Sequence, residues 1–558
     1  MKLLRSAFLP AALFALLLSN TAPLPAQSSE AAPLRVSLRE AVTAAVASNT
    51  QIRVDAFLPA IREVEVVTQE AGFDPNLTFT AKYQDTSNPT NNLFDLPSID
   101  PNAVGSFSTF KNAFLDAVTN PIAIDSSETS LNTQFIDRLH TGAFWSANLY
   151  MGRFTSTSAN ALYPESYFSN LQFQFTQPFL KGFGRDNNEV LITVARKNQE
   201  IDEETFRKRV QDTLLEVEAA YWVLVYERQD LEVRREALAL AQELLRLNKI
   251  RVDVGTLPPI DITQAEAGVA SREEAVIIAQ ANIENAEDRL KRVMGIDPKS
   301  SDWNRPIVPT EDLALIESSI SLDAAVHSAL ENRTDLKQAK LRVESAEVSL
   351  DAQKNRMQYR LDGIASYSLQ GLAGDTNAFP VQTIDPNGNL TTLGVVPGID
   401  SGIDDSLDFV TGGDFPTWSV QLVLGIPVGN RPAEAAYTRD RLVKEQRAVE
   451  YQNLEQAAIV AVGTAVRKVQ TDRKRIDAAE KNRILQEKTV EAEQKKFENG
   501  LSTSFEVLQL QRDLAEARSS ENAARRDYRT SMATLEAATG TLEKSLGVKL
   551  EEYQHIPK

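Results

Sequence analysis

Apolar residues recur every seven positions through Val210, Val217, Leu224, Leu231, Leu238, Leu245 and Val252, then through Ile262, Val269, Val276, Ile283 and Leu290. A sustained seven-residue repeat makes helices supercoil around neighbours. Between the two series stands Val254-Gly255-Thr256-Leu257-Pro258-Pro259, a turn signal. The pattern predicts a helical hairpin over residues 186–294. Its first arm, residues 186–252, would run on the order of 100 Å at 1.5 Å per residue. Ordinary globular helices are far shorter. Taken alone, the hairpin describes a coiled-coil rod.

The chain contains this unit twice. Ser321-Leu322-Asp323-Ala324-Ala325-Val326 repeats Ser37-Leu38-Arg39-Glu40-Ala41-Val42, and both serines are placed to cap a helix. A helix ending near Gln69 leads to an alternating stretch at about 76–84, with Leu77, Phe79, Ala81 and Tyr83 on one face. The copy leads to a strand at about 359–369. Strands at about 169–178 and 417–427 close on Pro178 and Pro427 and feed the long helices. The second hairpin spans 433–543, with Val462, Val469, Ile476, Val490 and Phe497 in sevens. Arg483 interrupts that series, and Glu521 breaks the pattern of its return helix. Residues 85–141 read as a polar loop or insert, residues 143–151 as a strand-like piece of the same external loop, and residues 370–415 as a second loop. The expected domains are 27–294 and 321–547, joined by a linker at 295–320 and followed by a tail at 548–558.

Charge and composition exclude several functions. The 558-residue chain carries a net charge of −18, against an electrostatic nucleic-acid binder. It has no cysteine, so disulfides, thiolate metal sites and a cysteine-linked lipid anchor are excluded. His140, His327 and His555 are too dispersed for a local metal motif. No cofactor is expected. Gly182-Phe183-Gly184 lacks the further glycine and the βαβ context of a nucleotide loop. Lys2 and Arg5 followed by an apolar run predict a signal peptide over 1–26. Beyond it no apolar run is long enough for a membrane helix, so a membrane role would use strands.

Four amphipathic strands of about ten residues have bilayer-spanning length. Four cannot close a barrel with a lumen, and an open edge in lipid is not viable. Each copy must then contribute a share of an oligomeric barrel. In this duplicated order of capped helix, strand, loop, strand and hairpin, the chain resembles the TolC family of outer-membrane efflux proteins. The residues carrying the resemblance are the Ser37-Leu38 and Ser321-Leu322 helix starts, the strand ends at Gln177-Pro178 and Ile426-Pro427, and the glycine tips at Gly255 and Gly500.

The resemblance implies an α+β membrane protein: a homotrimer whose four strands per copy make a twelve-stranded barrel in outer-membrane lipid, continued by a periplasmic α-helical tunnel. It implies a non-enzymatic exit duct for a tripartite efflux or type I secretion system, docked to a periplasmic adaptor (membrane fusion) protein and an inner-membrane pump. Gly255, Thr256, Leu257, Gly500, Leu501 and Ser502 become candidate adaptor contacts. Asp261 and Glu506, each six residues past a tip glycine, with Gln509 one turn on, become tunnel-gate candidates. Three copies of either acid would form a cation-favouring ring. A carboxylate stabilising a helix N-terminus accounts for the same two positions. Trp145, Tyr150, Tyr163, Tyr167, Phe168 and Trp418 could form an interfacial aromatic belt. A periplasmic coiled-coil adaptor or scaffold is the competing class, but it would carry one hairpin between compact β-domains.

Overall fold

The computed structural model describes residues 32–90, 111, 115, 122–158, 161–315, 321–376, 379–384, 386 and 390–548. The signal segment and nearly all of the C-terminal tail lie outside them. The chain clusters into two compact units. One comprises residues 220–314 and 482–523 with the N-terminal segment to Ala44. The other comprises 45–219, 315–481 and the chain from Ala524 onward.

The N-terminal helices are α1 (Leu38–Ser48), α2 (Thr50–Asp55) and α3 (Phe57–Glu70). Ser37 and Glu40 form a reciprocal cap: the Glu40 amide donates to Ser37 Oγ, and the Ser37 amide to Glu40 Oε2. The helix expected to end near Gln69 is split at Ala56 from the short helix before it. Pro59, two residues into α3, has no N–H to donate back to Asp55. Two long hairpins follow. The first pairs α4 (Val190–Asp253) with α5 (Ile260–Met294). After α6 (Leu322–Asn332) and α7 (Thr334–Arg356), the second pairs α9 (Arg431–Glu498) with α10 (Ser504–Thr539). The 68 residues of α9 extend about 100 Å.

The heptads point inward where expected over much of this length. Val210, Val217, Leu224, Val462, Val469 and Ile476 are all buried. Past Leu231 the α4 stripe steps back one residue. Ala237, Ala241, Leu244 and Asn248 are buried, while Leu238 and Leu245 are only partly covered. The drift of a 3.6-residue turn against a sevenfold repeat would move the buried face forward, so this backward step reflects the neighbours packed here and not the helical pitch.

The sheet lies wholly within the second unit. Its strands are β2 (Asn76–Thr90), β3 (Ile122–Arg138), β4 (Phe144–Ser156), β5 (Glu165–Pro178), β7 (Arg360–Asp375) and β10 (Pro416–Gly425), in spatial order β10-β7-β5-β4-β3-β2. Every neighbour pair is antiparallel. In the first unit, β1 (Leu34–Val36) pairs with β6 (Ile307–Pro309) inside the expected linker. Six strands replace the expected four. The 85–141 stretch contributes all of β3, and 143–151 belongs to β4, an interior strand. The reason lies in the two faces. Leu77, Phe135, Ala147, Phe173, Tyr367 and Trp418 form one row across all six strands. The adjacent row is Thr78, Gln134, Asn148, Gln172, Ser368 and Thr417. One face is apolar and the other polar, so half of each strand reads like loop sequence.

The second expected loop also carries structure. β7 extends to Asp375, a hairpin of β8 (Phe379–Ile384) and β9 (Leu390–Val396) follows, and α8 (Ile403–Gly412) packs on the sheet. There the backbone carbonyl of Ser406 fills the space beside Gly371 and accepts from Ser169 Oγ at 2.7 Å. The belt candidates divide between the faces: Trp145, Tyr167 and Trp418 share the apolar side, while Tyr150 and Phe168 alternate to the other. Tyr150 donates to Glu128, which also pairs with Lys82 at 2.8 Å.

Candidate functional site: the paired hairpin tips

Both tips lie in the first unit and end their helices the same way. Gly255 has φ +79° and Gly500 φ +76°, a conformation that L side chains rarely adopt. The amides of Gly255 and Thr256 donate to the carbonyls of Val252 and Arg251. Those of Gly500 and Leu501 donate to Phe497 and Lys496. These are matching Schellman closures, satisfying carbonyls the helix ends would leave bare.

The tips restart differently. At the first, Pro258 and Pro259 lead into α5, where the missing proline N–H costs nothing. At the second, Thr503 and Glu506 make a capping box: the Thr503 amide donates to Glu506 Oε2 at 3.1 Å, and the Glu506 amide to Thr503 Oγ1 at 3.3 Å. Ser502 Oγ reaches both Glu493 (2.5 Å) and Glu506 (2.8 Å). The Thr503 amide and the Ser502 hydroxyl hold the Glu506 carboxyl below its ordinary range. Ser502 and Lys496 do the same for Glu493. Asp261 sits in the first turn of α5, partly exposed, with no side-chain hydrogen bond or ion pair among the described residues. Gln509 is exposed.

Three polar side chains join one tip to the other. Arg251 donates from Nη1 to the Phe497 carbonyl (2.9 Å) and from Nη2 to the Glu498 carbonyl (3.2 Å). Its guanidinium lies 4.5 Å from the Phe497 ring centroid. Asn248, fully buried, donates to Ser504 Oγ at 2.9 Å and to the Asp261 carbonyl at 3.3 Å. Its Oδ1 has no partner. Arg272 donates to the Leu508 carbonyl at 2.8 Å, where Gly268 lets α5 approach the Leu508 side chain. Burial and nearby Arg512 push the Arg272 guanidinium below its usual value. Around these bonds pack Ala241, Leu244, Phe497, Val507 and Leu508, with Leu257 and Val269 at the margin.

The structure thus gathers the candidate tip residues at two adjoining turns. Leu257 packs inward, whereas Leu501 is 77% exposed, as are Val254, Ile260 and Phe505 by more than half. Four exposed apolar side chains on a small turn surface suit a protein contact. Asn248, Arg251 and Arg272 were not legible as site residues. Asn248 did carry a signal, a polar residue within the apolar series of α4. No group of three or more metal-ligating side chains gathers among the described residues.

The family model described as "Outer membrane efflux protein" matches residues 147–296 and 325–541. The outer membrane protein TolC of Vibrio cholerae is 24% identical over 63% of this chain and 73% of its own length. The outer membrane efflux protein BepC of Brucella suis is 30% identical, over 25% of this chain and 31% of BepC. Among solved structures, the Campylobacter jejuni CmeC outer membrane channel superposes with a TM-score of 0.59 at 13% identity, covering 98% of both chains. VceC of Vibrio cholerae superposes at 0.57 with 15% identity, over 90% of this chain and 96% of that one.

Proposed function

Because the chain belongs to the outer membrane efflux protein family, we propose that it is the outer-membrane exit duct of a tripartite efflux or type I secretion system. The observation that carries this reading is the two-faced sheet. Trp418, Val420, Leu422 and Leu424 are each more than half exposed on one face of β10, with Thr417, Ser419 and Gln421 opposite. The ten residues of β10, tilted about 45°, rise roughly 23 Å, close to the apolar band of an outer-membrane barrel. A periplasmic adaptor or scaffold has no use for such a face. Three copies close the barrel, and the long hairpins form its periplasmic tunnel.

The tips are the docking end. Thr256 and Ser502, whose hydroxyls brace their own turns, stand beside exposed Val254 and Leu501, a surface for a periplasmic adaptor that hands on cargo from an inner-membrane pump. Asp261, Glu506 and Gln509 line up near the same turns as gate residues. Of these, Asp261 has the freer carboxylate, since Glu506 already commits Oε2 to Ser502 and to its capping box. Membrane fractionation with detection of a heat-resistant trimer tests the duct, and recovery in the soluble fraction alone would refute it. Cross-linking from Thr256→Cys and Ser502→Cys tests docking. Capture of no adaptor in cells that contain one would refute that part.

A further inference from the structure

We propose that three copies of this chain close an eighteen-stranded barrel by pairing the β2 edge of one copy with the β10 edge of the next. This rests on the trimeric duct reading above and specifies its pore. The β3–β4 hairpin is the deciding feature. It sits between β2 and β5, in unbroken register with both. If the hairpin were an external loop, β2 would lie against β5 and each copy would offer four strands. Instead Leu131 and Phe135 of β3, and Trp145, Ala147, Leu149 and Met151 of β4, share the face of Leu77 and Phe173. Ser130, Asn132, Gln134, Ser146 and Asn148 share the opposite, polar face. A hairpin in water has no reason to keep that division. A hairpin between lipid and lumen does.

The edges are built to meet. Six antiparallel strands leave β2 and β10 running in opposite directions. Joining them between copies therefore continues the antiparallel pattern without a parallel step. Closure also removes the unpaired backbone edges that lipid does not tolerate. Phe79 on β2 and Val420 on β10 are 66% and 75% exposed, against 42% for Phe173 on interior β5, as expected where a neighbouring strand is still to be added.

The consequence is a wide outer-membrane pore. With strands about 4.8 Å apart and tilted about 40°, eighteen give a backbone diameter of about 36 Å, against about 24 Å for twelve. After side chains on both walls the opening is roughly 25 Å, room for two packed helices of about 10–12 Å each. The barrel then sets no size limit on small molecules or on an unfolded or helical polypeptide, and any sieving falls to the hairpin tips.

The chain contains no cysteine, so single cysteines report cleanly. In cells, thiols placed at Asn132 and Asn148 should react with a membrane-impermeant maleimide. Thiols at Leu131, Phe135, Ala147 and Leu149 should react at least about tenfold more slowly, because an apolar environment disfavours the thiolate. Native mass measurement of the purified complex should give three copies. Trimers with equal labelling of both faces overturn the eighteen-strand barrel and leave the duct standing. A complex of two copies, which would close twelve strands, also overturns it. Absence from the outer-membrane fraction overturns both the barrel and the duct.

Discussion

Replacing Arg251 with alanine should uncouple the two hairpin tips. The side chain leaves the last turn of α4 and reaches the end of α9, with bonds of 2.9 and 3.2 Å to the Phe497 and Glu498 carbonyls. A cation there also meets the negative end of the α9 dipole. A hydrogen bond from a charged donor contributes about 1.5–3 kcal/mol net. The longer, exposed bond to Glu498 counts for less, and the contact over Phe497 adds about 0.5–1 kcal/mol. With allowance for partial exposure the loss is about 2–3 kcal/mol, or roughly 30- to 150-fold in the equilibrium between joined and separated tips. Amide hydrogen exchange on the detergent-solubilised protein reads this directly. In Arg251→Ala, amides in the last turn of α9 and the first turn of α10 should exchange faster by that factor, while amides in the sheet are unchanged. Arg251→Lys should fall between, since an ammonium keeps the charge but not the two-pronged geometry. If the tips close the duct, Arg251→Ala should also raise single-channel conductance in planar bilayers. Tip exchange within threefold of the parent in both variants would refute the bridge.

Gly255→Ala and Gly500→Ala should each cost about 1–2 kcal/mol through backbone strain alone, because space beside both glycines is open. Limited proteolysis should show similar losses at the two tips, and tolerance of either substitution would contradict the shared Schellman closure. Asn248→Ala should destabilise the tips by about 1–3 kcal/mol by leaving the buried Ser504 hydroxyl without its donor. Exchange at the α10 start would report it, and Ser504→Ala in the same background should recover part of the loss. The Glu493 and Glu506 carboxyls are held below their ordinary range, so their contribution is complete above the unfolded pKa near 4.3–4.5. It is lost as pH falls through the depressed folded values. The α10 start should therefore fray below about pH 4, less steeply in Glu506→Gln. Tip protection that stays flat from about pH 6 to 3 would refute that linkage. Arg483→Leu should cost about 3 kcal/mol by taking the Arg483 partner from the buried Glu521 carboxylate. The Arg483→Leu, Glu521→Leu double variant should regain most of it in thermal inactivation assays, and additive losses would refute the pairing.

The helical hairpins were legible because each position of a long coiled coil repeats the same packing requirement, so Val210 through Leu224 carry one signal several times over. The duplicated serine caps were legible because a cap is local: Ser37 and Glu40 are three residues apart in sequence and in contact in space. The β3 strand was not. Its apolar alternation is confined to Leu131 and Phe135, and between Ser126 and Gln134 its other face is Ser, Glu, Asn and Gln, the composition of a solvated loop. Nothing in one strand announces the two neighbours that make its backbone bonds. The same blindness to partners hid the tips, where Arg251, Asn248 and Arg272 act across more than two hundred residues of chain.

The two breaks in the second hairpin show how such information can be present without being readable. Arg483 interrupts the α9 series and Glu521 that of α10; each, taken alone, weakens the coiled-coil pattern. In the structure Arg483 Nε meets Glu521 Oε2 at 2.5 Å, and Glu487 adds a bridge from Arg483 to Arg518. Glu521 is only 5% exposed. A buried charge pair contributes little net stability over an apolar pair, but it penalises any register in which the partners miss each other. A helix pair this long and this repetitive has many near-equivalent registers one heptad apart. Two apolar seams tolerate a local shift at small cost, whereas a shift that parts Glu521 from Arg483 costs about 3 kcal/mol. The pattern breaks therefore add a register-specific pair to the α9–α10 hairpin, whose short turn at Gly500 already sets how far α10 returns along α9.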